Sequence, residues 1–145
     1  MNIQPNEIWI AAGVLLGFQV TSFAARINRE IAVGEQRDIF PGSVTWLPPS
    51  DIVNLFSMVV LVAGVFILPV FGFDEPRFMT YAFGLAMLLF LGFPFALAGH
   101  YDMYNNKSRR SYLYFPFQEQ VVISVIAVLA TSYIIIAMIW SGIHT

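Results

Sequence analysis

Four long apolar stretches, separated by polar segments, dominate the pattern of hydrophobic and polar positions along this chain. The stretches at 8–25, 52–73, 78–99 and 121–140 contain no Asp, Glu, Lys or Arg, so every charged side chain lies outside them. Each stretch has about 20 residues, and a helix of that length, rising 1.5 Å per residue, crosses a hydrocarbon core of about 30 Å. The pattern therefore predicts an all-α integral membrane protein whose four transmembrane helices form one antiparallel bundle.

The polar flanks of these stretches indicate where the spans begin and end. We expect spans at about 8–27, 51–73, 77–99 and 119–141, with loops at 28–50 and 100–118, in a single transmembrane domain of residues 1–145. Pro48 and Pro49 stop any helix before the second span, and Ser50 or Asp51 is expected to cap its first free N–H groups. The short link at 74–76 predicts a hairpin between the second and third spans.

The basic residues predict how the bundle is oriented in the membrane. Six of the seven lie in, or at the border of, the two loops that share one side, namely Arg26, Arg29, Arg37, Lys107, Arg109 and Arg110, and only Arg77 falls on the other side. Because short cytoplasmic loops carry an excess of Lys and Arg, these two loops are expected in the cytoplasm and both termini outside. The expected location is the inner (plasma) membrane of the cell, which the chain crosses several times.

Composition supports the membrane assignment and excludes other classes of protein. Hydrophobic residues make up 58% and charged residues 11%, whereas soluble domains have roughly 45–50% and 25%. Seven basic against nine acidic residues provide no basic surface for nucleic acid, so the lipid bilayer is the expected partner. The absence of cysteine excludes disulfides and thiolate chemistry, and His100 and His144 are expected at opposite membrane faces. We therefore predict no metal site and no cofactor.

Two stripes of small residues predict where helices pack closely. Gly13 and Gly17 form a GxxxG pair in the first span, and Ser124, Ala127 and Thr131 form a comparable stripe in the fourth. Small side chains let helix backbones approach each other and gain dispersion contacts in lipid. Two interpretations stay open. The stripes face each other within the bundle, or the glycine pair contacts another molecule, in a homo-oligomer or beside other membrane subunits.

Polar residues collect at the span ends that are expected on the cytoplasmic side. The candidate ligand-binding residues there are Arg26, Arg29, Asp51, Asn54, His100, Tyr101 and Glu119. Asp51 and Asn54 are three residues apart and share one helix face, and antiparallel packing is expected to bring the other residues to the same depth. The group is either a pocket in which an arginine binds an anion and a carboxylate or His100 transfers a proton, or a set of interfacial caps and ion pairs.

In its architecture and in three short segments the chain resembles the MAPEG family of small membrane glutathione transferases and eicosanoid enzymes. The segments are Arg26-Ile-Asn-Arg29, Asp51-Ile-Val-Asn54 and Gly99-His100-Tyr101, at the ends of the first three spans. The resemblance implies four spans with both termini outside, and a cytoplasm-facing site for glutathione or a lipid-like ligand. Val53 stands where the family carries a glutamate, and Thr45-Trp46-Leu47-Pro48-Pro49 replaces the family's Arg- and His-containing run.

Three classes of function remain open. The first, which we favour, is a membrane protein without catalysis that acts by oligomerisation or as a subunit of a membrane complex, since no catalytic set is recognisable. The second is a MAPEG-like enzyme, for which glutathione is the molecule that the resemblance implies. The third is an oligomeric channel with its pore between protomers, because one sequence does not show symmetry. A proton relay within one chain is disfavoured, since the four apolar stretches hold no Asp, Glu, His, Lys or Arg.

Overall fold

The chain folds as a bundle of four long helices. The computed structural model describes residues 4–35, 47–101, 103–105 and 116–143. The helices are α1 (Pro5–Glu35), α2 (Pro49–Val70), α3 (Pro76–His100) and α4 (Phe117–Ile143), with one 3₁₀ turn at Met103–Asn105. Each long helix is long and apolar enough to cross a membrane, and the described ranges contain no strand. The predicted all-α class, with four helices long and apolar enough to span a membrane, is confirmed. Arg37, Lys107, Arg109, Arg110 and His144 lie outside the described residues.

The observed ends of the helices differ from the expected spans by a few residues. The first helix continues to Glu35, beyond the expected end near 27. The part of this helix after Ala25 contains charged residues and extends past the end of the apolar stretch. The second ends at Val70, where Gly72 has a φ of 91°, a left-handed conformation that glycine adopts without strain. Pro76 then begins α3, a position where its missing N–H costs nothing.

Contacts between α1 and α2 at both of their ends show that the two helices are antiparallel. Near the start of α1, the indole Nε1 of Trp9 donates to the carbonyl of Val65 in α2, 3.1 Å away. Pro69 has no N–H to offer the carbonyl four residues before it, and Trp9 supplies a donor to that oxygen instead. A π-helical segment at Val62–Ile67 lies in the same region of α2. At the opposite end, Arg26 of α1 contacts Asp51 of α2. We call the end that holds Arg26 and Asp51 the polar end, and the end with residues 71–75 the hairpin end.

The core lies mainly where α1 and α2 pack on α3. Its buried side chains are Ile8, Ala12, Leu15, Leu61, Val65, Met79 and Ala86. Gly64 allows α2 to approach α3, because a Cβ there would overlap Ala82. The last helix, α4, packs against α3 through Ile126 and is the most peripheral: 6% of its most apolar window is buried, against 22–28% for the other three helices.

The two small-residue stripes do not pack against the other helices that the structure describes. A Cβ at Gly13 or Gly17 would meet no neighbouring atom within 4 Å, and both glycines are exposed. On α4, Ser124, Ala127 and Thr131 are also exposed. The interpretation that the two stripes face each other within the bundle is therefore wrong. The rotation of α1 is set by its polar and large apolar residues, which face α2 and α3 and turn the glycines outward.

Candidate functional site

Buried polar side chains form a continuous cluster at the polar end of the bundle. The cluster, called the polar cluster below, consists of Gln19, Arg26, Ser50, Asp51, Asn54, Ser57, His100, Glu119 and the half-buried Tyr101. All eight members other than Tyr101 are less than a tenth exposed. Burying a charged side chain in an apolar bundle is tolerated only when the charge is paired and hydrogen-bonded. The partners of each charged group therefore show which contacts it stabilises.

Arg26 is held by three partners. Its Nε lies 3.2 Å from Oδ1 and 3.3 Å from Oδ2 of Asp51, and its Nη2 lies 3.2 Å from Oδ2. Nη1 donates to the Tyr101 hydroxyl at 2.6 Å, and Nη2 also reaches Glu30 at 3.2 Å. Arg26 is 6% exposed and Asp51 is fully buried. The guanidinium therefore joins α1, α2 and the end of α3, and each of its three nitrogens already has an acceptor within the protein.

Glu119 links the start of α4 to two other helices. One carboxylate oxygen accepts the Ser50 N–H at 2.8 Å, and the other lies 2.8 Å from Nδ1 of His100. Because a carboxylate only accepts, Nδ1 carries the hydrogen in this contact. The carboxylate thus caps the start of α2, where free N–H groups and the helix dipole favour negative charge. The expected cap by Ser50 or Asp51 is wrong: neither side chain caps α2, and its N-cap is Pro48.

Gly99 permits this contact between α3 and α4. A Cβ at position 99 would lie 2.9 Å from the backbone nitrogen of Glu119 and 3.0 Å from the carbonyl carbon of Gln118. Both neighbours are backbone atoms, which cannot rotate away as a flexible side chain does. The absence of a side chain at Gly99 therefore lets the end of α3 lie directly on the start of α4, with His100 beside Glu119.

A second group of polar side chains lies deeper, between α1 and α2. Ser57 Oγ donates to the Ala86 carbonyl at 2.6 Å, so its one hydrogen is used and the Gln19 amide nitrogen must donate to Ser57. The Asn54 amide nitrogen faces the Gln19 backbone carbonyl at 3.4 Å. These contacts determine the orientation of both amides. Gln19 Oε1 and Asn54 Oδ1 remain as buried acceptors without a hydrogen bond to the described residues.

Arg29 differs from Arg26 because its charged group is at the surface. Its guanidinium carbon lies 4.1 Å from the centre of the Tyr101 ring, a cation–π distance. Arg29 is exposed, and within the part of the chain that the structure describes no ion pair includes it. Of the two arginines in this region, Arg29 is the one with donors available to a solute.

A groove lies at the hairpin end, away from the polar cluster, between α2, α3 and α4. Its volume is about 550 Å³. Its lining is mostly apolar and also includes Glu75, Arg77, Tyr81 and Tyr133. Sequence reasoning missed this groove. The one available signal was Tyr133 in the middle of the apolar fourth span, where a phenol is unusual unless it has a packing or binding role.

The seven candidate ligand-binding residues lie at the same end of the bundle. Arg26, Arg29, Asp51 and Tyr101 form one contact group. His100 pairs with Glu119 and meets the Tyr101 ring edge-on at 5.2 Å. Asn54 faces Gln19 one turn farther along α2. Their use for a ligand stays a prediction. Among the described residues, no group of three His, Asp or Glu side chains has the arrangement of a metal site.

The chemistry of the polar cluster is therefore one of mutual neutralisation. Arg26 is bound by carboxylates and a phenol, and Glu119 by an imidazole and a backbone N–H. This arrangement connects the four helices, and of the two arginines that the structure describes at this end, Arg29 is the one whose charge is exposed. Comparison with protein-family models, with curated proteins and with solved structures finds no match for this chain.

Proposed function

We propose that this chain is a structural membrane subunit that acts by assembling with other membrane-embedded chains, first of all with copies of itself. The polar cluster supports a structural role, because its buried charges are used to hold α1, α2, α3 and α4 together at one end. Removing one partner of such a buried pair costs about 3–5 kcal/mol, so the pairing makes the bundle rigid. A rigid bundle can present a constant outer surface to a partner.

The observation that carries the proposal is the outward position of Gly13 and Gly17. Among residues 4–35, 47–101, 103–105 and 116–143, no neighbouring atom lies within 4 Å of where a Cβ on either glycine would be. Lipid tails are as apolar as leucine, so helices associate in a membrane mainly through close packing, and small residues are the ones that permit it. A GxxxG face that no helix of the same chain covers is suited to a helix of another chain. The exposed Ser124, Ala127 and Thr131 of α4 provide a second face of the same kind.

Dilution of labelled protein in lipid vesicles tests the proposal. Energy transfer between donor- and acceptor-labelled copies should fall as the lipid-to-protein ratio rises, and Gly13→Leu or Gly17→Leu should weaken association by about 1–2 kcal/mol, roughly 5- to 30-fold. Ala11→Leu is the matched control, since Ala11 is exposed on nearly the opposite side of α1. Transfer that is absent in the wild type, or equal in the glycine variants and the control, would reject the proposal.

A second candidate function is supported by the position of Arg29. An exposed guanidinium stacked on Tyr101 is suited to a carboxylate ligand, and glutathione is the anion that the MAPEG resemblance suggests. Under this alternative, millimolar glutathione raises the melting temperature of the purified protein, and Arg29→Ala abolishes the rise. Arg77→Ala, at the other end of the bundle, is the control. Turnover of a chlorinated nitrobenzene with glutathione would favour the enzyme over the structural subunit. If glutathione neither raises the melting temperature nor supports turnover, the enzyme alternative is eliminated.

A further inference from the structure

The groove at the hairpin end, called the hairpin-end groove below, has the size and lining of a small-molecule site. Its volume of about 550 Å³ lies within the roughly 300–1,000 Å³ of such sites, which are mostly apolar with a few placed polar groups. Leu68 of α2, Leu85 of α3 and Ala137 of α4 are among its apolar lining residues. A molecule in this groove therefore contacts three of the four helices.

The lining of the groove includes three residues that carry a hydroxyl group. Ser141 already uses its hydrogen, because its Oγ donates to the Met138 carbonyl at 2.9 Å. Tyr81 and Tyr133 differ from Ser141: within the part of the chain that the structure describes, neither phenol hydroxyl has a hydrogen-bond partner. The two tyrosines therefore have donors available to a ligand.

The two phenols lie close to each other. The hydroxyl of Tyr133 contacts Gly84 of α3, in a space that any side chain at position 84 would occupy. Tyr81 and Gly84 are three residues apart, so they share one face of α3. Tyr81 is near enough to Tyr133 to interact with it electrostatically. This placement suits one ligand atom that accepts from both hydroxyls, and a carbonyl oxygen has the two lone pairs to do so.

The hydroxyl of Tyr133 lies well inside the hydrocarbon core. The apolar stretch of α3 begins at Phe78, so Gly84, which this hydroxyl contacts, is about 9 Å farther along the helix at 1.5 Å per residue. Half of a hydrocarbon core is about 15 Å. At this depth a phospholipid has only hydrocarbon, which accepts no hydrogen bond. The donors therefore suit a molecule that carries a neutral polar group into the hydrocarbon.

We infer that the hairpin-end groove is a binding site for a lipid-soluble quinone. A quinone is uncharged, its ring oxygens are carbonyl oxygens, and its alkyl or isoprenoid tail is apolar. One carbonyl oxygen accepts from Tyr81 and Tyr133, and the tail lies against the aliphatic lining. A second groove, of about 540 Å³, lies between α3 and α4, and the lining that the structure describes there has no hydroxyl-bearing, amide or charged side chain. It offers a quinone no side-chain hydrogen bond.

Binding of decylubiquinone, a quinone with a ten-carbon tail, to the purified full chain in detergent tests the assignment. The quinone that elutes with the protein on gel filtration, above the amount in empty micelles, is extracted and quantified. Tyr81→Phe and Tyr133→Phe should each weaken binding about fivefold, because each loses one hydrogen bond. Tyr104→Phe is the matched control, since its hydroxyl donates to the Phe95 carbonyl at the polar end, and it should bind as the wild type does. Wild-type affinity in both Tyr81→Phe and Tyr133→Phe would overturn the proposal.

Two further measurements separate a quinone site from an ordinary apolar groove. Decylbenzene has the same tail and a ring without oxygen, so retention equal to that of the quinone would overturn the proposal, as would displacement of the quinone by an excess of phosphatidylethanolamine. Ala137→Phe fills the hairpin-end groove and should weaken quinone binding about tenfold, whereas Val125→Phe fills the second groove and should leave it unchanged. Circular dichroism checks the folding of both variants, and the tyrosine variants, which lose only an oxygen atom, keep the test independent of Ala137→Phe. Unchanged binding in a folded Ala137→Phe would show that the quinone binds elsewhere.

Discussion

Replacing the two members of the buried Arg26–Asp51 pair, singly and together, tests the structural role of the polar cluster. Asp51 is fully buried, and the described residues place only Arg26 as a cation in hydrogen-bond contact with it. Arg26 has two further partners, Glu30 at 3.2 Å and the Tyr101 hydroxyl at 2.6 Å. The two single substitutions are therefore expected to have unequal effects.

The magnitudes follow from what each variant leaves behind. Arg26→Leu leaves a buried carboxylate without its cation and should cost about 3–5 kcal/mol of unfolding free energy. Asp51→Leu leaves Arg26 with Glu30 and Tyr101, so the loss is that of hydrogen bonds to a charged group, about 1.5–3 kcal/mol. The double variant removes both charges and replaces them with apolar contact. It should be no less stable than Arg26→Leu alone, although the sum of the single effects predicts a much larger loss.

Reversible unfolding in mixed detergent micelles, followed by tryptophan fluorescence and circular dichroism, measures these differences. The unfolded reference in detergent still contains helix, so the comparison reports the loss of contacts between helices. Glu30→Gln is the control, because this partner is partly exposed and its ion pair is worth at most about 1 kcal/mol. The energetic coupling between Arg26 and Asp51 would be refuted by strictly additive changes in unfolding free energy for the two leucine substitutions. A cost below about 1 kcal/mol for Arg26→Leu would refute it as well.

Three further outcomes are expected elsewhere in the chain. Gly99→Ala forces α3 away from the backbone of α4 and should destabilise the bundle by about 1–3 kcal/mol, whereas Gly142→Ala, where a Cβ meets nothing within 4 Å, should have little effect in the same unfolding assay. Trp9→Phe removes the donor to a carbonyl of α2 and should cost about 1 kcal/mol, with unchanged stability contradicting the bond. Single cysteines at Asp74 and Asn106, in a chain without native cysteine, test orientation: an impermeant thiol reagent should label 74 and not 106 in intact cells, and the reverse pattern would invert it.

The four spans were predictable because the free-energy cost of a charged side chain in lipid excludes charged residues from long stretches of the sequence. A charged residue in the middle of a span is so unfavourable that the charged residues of this chain lie at or beyond the ends of the spans. The stretches without charge therefore indicate where the helices are. The convergence of Arg26, Asp51 and His100 at one end follows from the same rule. An antiparallel bundle has only two ends, so polar residues near the same membrane surface become neighbours.

The pairing of individual side chains could not be predicted, because it depends on how each helix is rotated. In water an apolar stripe reveals the buried face of a helix, but in lipid the outer face is as apolar as the inner one. The glycine pair of α1 illustrates the difficulty, since Gly13 and Gly17 suit a contact on either side and the structure turns them outward. The cap of α2 illustrates it again. Local reasoning assigned the cap to Ser50 or Asp51, and the acceptor is Glu119, 69 residues farther along the chain.

The two ends of the bundle are held together by different forces, and this difference determines where the helices separate most easily. At the polar end, Arg26 and Glu119 join all four helices through buried charges, so separating the helices there leaves those charges unpaired. At the hairpin end, α4 borders a groove of about 550 Å³, and the side chains that line it lack neighbours on one side. Fewer contacts are therefore lost when α4 moves away at the hairpin end than at the polar end. Opening of the bundle should begin with α4 at the hairpin end while the polar end stays closed.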